Sequence, residues 1–350
     1  MARNPISEAQ TNMAPSQLFT PSLKGLIASL ILTPLGMPEG KADPWSIERI
    51  SNPDGPGTWL QIQANQNPVA AWAFGKGQFK PYLHVFGPGG IRLTNSGLDQ
   101  AGRKSGTFGH HRGIFIGWNR IQSELGTRDL WHMTKGTRME IEAFTQLTTT
   151  GRHAVTEAAI GWWAGLSDHP ADDLLLHERR RVAVSLPRAG VVQVDFHSRL
   201  TAVRDLTLGG DLQHAGIHFR AENEVANRRK ETAYVWSPDL DPEKRGMKSD
   251  HWQWATLIFP IGDRWFQSTE MTAPTNQFSE LSWRDYGRFG FFEKKTLTKD
   301  ETLNLQFRFQ IKEVVDFDLP AEMEALRHRI RSSNQTAYAQ FLTDLQGNQD

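Results

Sequence analysis

From Trp45 to Lys312, short runs of alternating apolar and polar residues follow one another, separated by Gly, Pro, Asn or Asp. Side chains of an extended chain point to opposite faces in turn, so such runs predict strands with one face toward a core. The predicted strands are Trp59–Gln63, Val69–Phe74, Tyr82–Phe86, Ile114–Trp118, Met139–Leu147, Val155–Trp163 and Leu174–Leu186. They continue with Val191–Val203, Ala215–Arg220, Trp252–Phe259, Trp265–Met271, Gly287–Phe292 and Leu303–Ile311. No helical period intervenes and no fixed repeat divides the block. The pattern predicts an all-β fold, a large antiparallel β-sandwich.

The two ends read differently. Residues 1–22 are polar and aperiodic, and Lys24 then precedes the apolar run Leu26–Leu32, broken at Pro34. A basic residue before a short apolar run has the proportions of a signal segment and is too short to span a bilayer. The region Gly36–Ala42 lacks a clean small-x-small cleavage pattern, so a cytoplasmic protein with an irregular N-terminus is the alternative to a periplasmic or secreted one. Export is the expectation. At the other end, Pro320 near a first turn and Met323, Leu326, Ile330, Phe341 and Leu345 at helical spacing predict a C-terminal helix, with polar Ser332–Gln335 splitting it. The expected division is a disordered or signal segment over 1–43, the sandwich over 44–315 and a helical extension over 316–350.

Composition narrows the function classes. Lys+Arg and Asp+Glu both number 39, so the chain lacks the basic excess of a nucleic-acid binder. It has no cysteine, which excludes disulfides, thiolate nucleophiles and cysteine-held metal. Its 12 Trp and 19 Phe can fill a broad core, and Trp also stacks on sugar rings. Phosphate-binding and dinucleotide-binding glycine motifs, a nucleophile elbow and a calcium loop are absent from the sequence.

The densest chemistry lies in Gly106–Asn119, where His110-His111-Arg112 stand between glycines before a strand. The pleat puts Arg112, Ile114, Ile116 and Trp118 on one face. Gly113 and Gly117 leave room beside Phe115, so something large can approach the other face. Adjacent histidines of an extended chain point apart, so one is expected to act as base or ligand and the other to brace it. Asp129-Leu130-Trp131-His132 adds a carboxylate and a further imidazole. His84 is read as a surface histidine or the lip of a site. Glu178 shares a core-facing strand face with Leu176 and Val182, either as an ion-pair partner of Arg180 or as a tuned acid. His214, Gly216, His218 and Arg220 fall on one face of a strand, a stripe for a carboxylate, an oxyanion or a metal completed by His110 or His111. Arg284, Tyr286 and Arg288 share a face of another strand, with Tyr286 available as an acid or base.

These pieces in this order resemble a bacterial family of unknown function labelled PmoA-like. The resemblance rests on Pro81-Tyr82, Gly87–Gly90, His110–Gly113, Asp129–Trp131, Glu178-Arg179, Gln213–Arg220 and Arg284–Gly287, and spans about residues 55–312. Members of that family commonly carry Asp-His-Pro before the His-His-Arg-Gly; Gly106–Gly109 stand there instead, so this chain has no carboxylate at that place. The methane-oxidising activity that the label echoes belongs to a membrane protein, and this chain has no membrane-spanning helix in its sequence. The family's strand pattern is similar to the galactose-mutarotase-like supersandwich, which implies a carbohydrate ligand.

The resulting expectation is a carbohydrate-active enzyme acting on a sugar or uronic-acid-like glycoside by acid/base chemistry: elimination, hydrolysis or epimerisation. His111 or His218 would be the base and Glu178 or Tyr286 the acid. Arg112, Arg220 and Arg284 would hold an oxyanion or carboxylate, and Trp118 and Trp131 would stack on the sugar. A divalent metal on His110, His111 and His214 is the one cofactor these residues suggest. The alternative is a non-catalytic carbohydrate-binding or envelope protein. The expected partners are carbohydrates or other small molecules, with no nucleic acid and no membrane span.

Overall fold

The computed structural model describes residues 43–347 except 100, 167–169, 212, 239–245, 250, 277, 279 and 315–322. The expectations for residues 1–42 and for a helix start at Leu319–Glu322 lie outside the described residues.

Where the sequence alternates, strands pair. A nine-stranded antiparallel sheet takes Trp45–Ser51, Thr58–Ala64, Asn67–Phe74, Tyr82–Val85 and Ile114–Trp118 in chain order. Ala215–Arg220, Arg288–Phe292, Glu280–Arg284 and Gly246–Lys248 complete it. The second sheet has eight strands, ordered Ala233–Ser237, Trp254–Ile261, Arg264–Thr272, Thr302–Val314, Val191–Ala202, Leu174–Arg188, His153–Trp163 and Arg138–Thr150. Four short strands, Lys295–Leu297, Leu206–Gly209, Arg120–Ser123 and Gly126–Arg128, form a third. The fold is all-β and antiparallel with a C-terminal helix.

The two large sheets share one core. Leu60, Ile62, Trp72, Ile114, Ile116, Ile217 and Phe219 of the first pack with Ile160, Trp162, Val182, Phe196, Phe259 and Phe307 of the second. Each such side chain contributes roughly 1.5–3 kcal/mol when buried. Trp72 Nε1 donates to Thr156 Oγ1 at 2.9 Å across that core. The opposite face of the first sheet carries a second apolar cluster of its own side chains, Trp59, Ala71, Ala73, Tyr82 and Phe115, with Phe86 beside them and Trp131 packed against them. A central strand such as Ile114–Trp118 is therefore buried on both faces.

Several expectations change here. The helix Met323–Gly347 runs unbroken. Asn334, in its polar middle, is buried and donates to Thr256 Oγ1 at 2.8 Å, so that polar stretch docks the helix. Arg284 and Arg288 belong to two strands of a hairpin turned at Gly287 (φ 80°), so Arg284–Tyr286–Arg288 is no continuous strand face. His84 is fully buried, with Nδ1 2.9 Å from Thr94 Oγ1, because its face of the sheet carries the second apolar layer. The short helix Asn223–Asn227 was not predicted. Among the described residues, no helix is long and apolar enough to cross a membrane.

Candidate functional site

The site is built on the outer face of the nine-stranded sheet, where the chain enters Ile114–Trp118. His110 and His111 lie in a turn rather than in extended chain: His111 N donates to Phe108 O at 2.9 Å, and Phe108 takes φ 57°. Gly113 then joins the sheet at φ 52°, where a Cβ would stand 2.3 Å from the carbonyl oxygen of Leu83. Only glycine combines that conformation with that approach. Asn95 clamps the turn, its Nδ2 donating to His111 O at 3.0 Å and its own carbonyl accepting from Gly113 N at 2.9 Å. Both imidazoles consequently converge, their ring centroids 4.1 Å apart, where the extended-chain expectation had one of them pointing away.

Two Asp-x-x-His turns bring the other imidazoles. Asp129 Oδ1 accepts from the backbone N–H groups of Trp131 (3.0 Å) and His132 (2.8 Å), and its Oδ2 accepts from His132 Nδ1 at 2.8 Å. Asp211 Oδ1 accepts from Gln213 N at 2.9 Å and from His214 Nδ1 at 2.8 Å, while Oδ2 accepts from Asn119 Nδ2 at 2.9 Å. A carboxylate on Nδ1 fixes each ring with its proton there, leaving an Nε2 lone pair. His132 lies with its ring centroid 4.4 Å from His110 and 4.7 Å from His214. Ligand atoms of His110, His111 and His214 all lie within 4.8 Å of one another.

Beneath the four imidazoles, the Trp131 ring packs 5.6 Å from His111 and 5.7 Å from His214. Phe108, 49% exposed, sits over His111 and Tyr286 at 5.9 and 4.8 Å. The Tyr286 ring stacks on His111 at 6.1 Å and 7°. Lys80 is buried below; its Nζ donates to Trp131 O at 2.7 Å and stands 4.1 Å from the Phe115 ring centroid.

Burial sets the charge state. It pushes His110 down to about 2, with Lys80 and His132 adding repulsion. His111 is held well below the usual imidazole range by burial and then by Arg288. Burial also lowers His214, against the opposing pull of Asp211. Lys80 is lowered by burial and by Arg112. His110, His111 and His214 are thus neutral at pH 7, the form that accepts a proton or a metal. His110 Nε2 and both ring nitrogens of His111 are buried without a hydrogen-bond partner, and His111 is only 2% exposed.

A family model described as a family of unknown function (DUF6807) matches residues 60–319, which hold all four histidines and both aspartates. The chain belongs to that family. The description of DUF6807 assigns no activity, and the PmoA label is not part of it. No protein of curated function matches the sequence. Among solved structures, the chain is similar to a galactose mutarotase related enzyme from Lactobacillus acidophilus, with 8% identity and a TM-score of 0.36 over 78% of this chain and 99% of that one. It is also similar to the heparan sulfate lyase HepC from Pedobacter heparinus, with 12% identity and a TM-score of 0.35, over 79% of this chain and 38% of that one.

Of the expected site residues, the structure brings together His110, His111, His214 and Tyr286, with Trp131 as their floor. It takes others away. His218 is fully buried with both nitrogens engaged, Nε2 on Ala215 O at 3.0 Å and Nδ1 accepting from Arg288 Nη1 at 3.0 Å, so it is no base. The expected polar stripe fails at Gly216, whose φ of 85° interrupts the alternation. Glu178 faces the core as expected but is an ion-pair partner: Oε1 accepts from Arg180 Nε and Ser198 Oγ, both at 2.7 Å. Its Oε2 accepts from Arg180 Nη2 at 2.8 Å and Trp162 Nε1 at 2.9 Å, leaving no lone pair for an acid's work.

The substrate-binding expectations are corrected likewise. Arg112 is buried on Gly109 O and Gln78 Oε1. Arg220 is buried on main-chain oxygens of Thr107, Ala221 and Tyr286, and so ties the histidine turn to Tyr286. Arg284 is buried with Nη1 on Trp283 O. Trp118 lies in the inter-sheet core, its Nε1 on Glu293 O, and Trp131 is fully buried, so neither presents a face to a sugar. The large body predicted to approach Phe115 is the chain itself: a Cβ on Gly117 would stand 2.6 Å from Leu130 O.

Asp211, Lys80 and Phe108 are site residues not expected from the sequence, and Asp129 and His132 gain definite roles here. The recurrence of Asp-x-x-His at Asp129–His132 and Asp211–His214 was the available signal. An open concavity of about 610 Å³ lies elsewhere, over Arg179, Arg181, His197, Arg199, Glu293 and Lys295. Size and chemistry point to different places. The histidine cluster is the better site because its buried nitrogens lack partners, whereas Arg179 is already paired with Glu157.

Proposed function

We propose that the chain is an enzyme acting on a carbohydrate, a sugar or uronic-acid-like glycoside, by acid/base chemistry at the His110–His111–His132–His214 cluster. The observation that carries this reading is the pair of carboxylate-anchored imidazoles facing two histidines whose ring nitrogens have no protein partner. The Asp129–His132 dyad is the general base: Asp129 orients the ring and stabilises the imidazolium formed when Nε2 takes a proton. Tyr286 is the acid. Its hydroxyl accepts from Arg288 Nε at 3.2 Å, which leaves its own hydrogen to donate. Phe108 offers an exposed apolar face to a sugar ring, and neutral imidazoles suit hydroxyl groups as both donors and acceptors. The PmoA-like resemblance supports the choice of motif positions and nothing about methane. Export, the localisation expected from the N-terminal pattern, would place such an enzyme among extracellular glycans.

The test is a screen of purified protein against glycosides, 3-keto-glycosides and uronates, reading reducing ends, the absorbance of unsaturated products and epimer ratios. Turnover lost in His132→Ala and Tyr286→Phe supports the reading. Glycan binding without turnover of any substrate favours the alternative, a carbohydrate-binding protein.

A further inference from the structure

We propose that His110, His111 and His214 hold one divalent transition-metal ion of the zinc class, with an open coordination position directed at substrate. Three features of the cluster carry this. Their ligand atoms lie within 4.8 Å of one another, and tetrahedral zinc at 2.0–2.1 Å requires nitrogens about 3.3 Å apart, so the three rings must draw together on binding. His110 Nε2 and both nitrogens of His111 are buried with no partner. An imidazole buried in that way is destabilising until something accepts its lone pair. The third ligand is pre-oriented: Asp211 fixes Nδ1 of His214, and Asn119 and the Gln213 backbone N–H fix Asp211. A histidine ligand held on its far nitrogen by a hydrogen-bonded carboxylate is the outer-shell arrangement of zinc sites.

The donor set selects the metal class. Three neutral nitrogens with no thiolate suit zinc, cobalt, nickel or copper, and suit magnesium and calcium poorly. Lys80 and Arg288 oppose a cation here, and the carboxylates of Asp211, on the ligand His214, and of Asp129, on the neighbouring His132, offset them. His132 lies beside the triad without joining its converging ligand atoms. It is therefore placed to take a proton from a water on the metal, whose acidity the ion would raise.

This inference rests on reading the cluster as the site, and the experiment separates the two. Full-length protein purified without a histidine tag is stripped with a chelator and titrated calorimetrically with Zn²⁺, then with Co²⁺ while visible absorption is recorded. One ion per chain is expected, with cobalt bands of tetrahedral or five-coordinate intensity. Asp211→Asn should weaken binding roughly 10–100-fold with the fold intact by circular dichroism. His214→Ala should weaken it more, beyond about 100-fold. Because Asp211 is exposed, its variant keeps the test decisive even if a histidine variant misfolds. No stoichiometric binding, or binding unchanged in Asp211→Asn and His214→Ala, overturns the proposal. Full turnover in metal-stripped protein overturns it and leaves the enzyme reading standing. Tight binding with no turnover of any glycan does the reverse.

Discussion

Nδ1 of His132 donates to Oδ2 of Asp129 across 2.8 Å, and His214 repeats the distance to Asp211. The two turns lie far apart in sequence, yet their rings meet at 4.7 Å. Each aspartate also accepts backbone N–H groups of its own turn, so carboxylate, backbone and imidazole are set as one unit.

Replacing Asp129 by Asn removes the acceptor that selects the His132 tautomer. Activity on the substrate found by the screen is expected to fall by about 10²–10⁴ in kcat, with KM little changed. Zinc affinity should change less than in Asp211→Asn. A kcat within threefold of wild type would remove His132 from the role of base.

Glu178→Ala leaves Arg180 charged in the core with only Pro81 O still in reach. Loss of one member of a buried pair costs about 3–5 kcal/mol, which urea denaturation will measure. Glycan turnover per folded molecule should stay at the wild-type level, because the carboxylate touches no part of the histidine cluster. A large fall in turnover with unchanged stability would restore Glu178 as an acid.

Gly113→Ala puts a side chain at φ 52° and 2.3 Å from Leu83 O. The left-handed conformation alone costs roughly 1–2 kcal/mol, and the clash moves the turn that carries His110 and His111. Lower stability together with weakened zinc binding is expected. Stability lost with zinc affinity intact would show that the turn tolerates displacement.

Glu293, which lines the concavity over Arg181 and His197, supplies a further pH dependence. Burial raises its carboxyl to about 7, against the pull of Lys295, and its Oε2 has no partner. The folded state therefore holds a proton that the unfolded state releases near pH 4.5, so stability falls as pH rises between about 4.5 and 7. Glu293→Gln should flatten that slope in a series of thermal melts. Glu270, raised well above the carboxylate range by burial alone, acts in the same direction and leaves a residual slope. A slope unchanged in Glu293→Gln would contradict the assignment.

Alternation in the sequence determined the strands, because a pleated strand has a period of two whatever it packs against. Thus Ile114–Trp118 and Ala215–Arg220 were legible, as was the adjacency of His110 and His111 in the chain, but not the convergence of their rings, which the turn at Phe108 decides. Which face each strand offers to a ligand was not. In the nine-stranded sheet one face packs on the second sheet, and the other carries Trp59 and Phe115 in a second apolar cluster with Trp131. With both faces covered, polar residues on either become buried structural groups, which is the fate of His84, His218, Arg112 and Arg220. Glu178 showed its core-facing side in the pattern, and only packing revealed that four hydrogen bonds saturate it. The two Asp-x-x-His turns were written in the chain, but their meeting over His110 depends on pairing Ile114–Trp118 with Ala215–Arg220, a long-range register that local pattern does not encode.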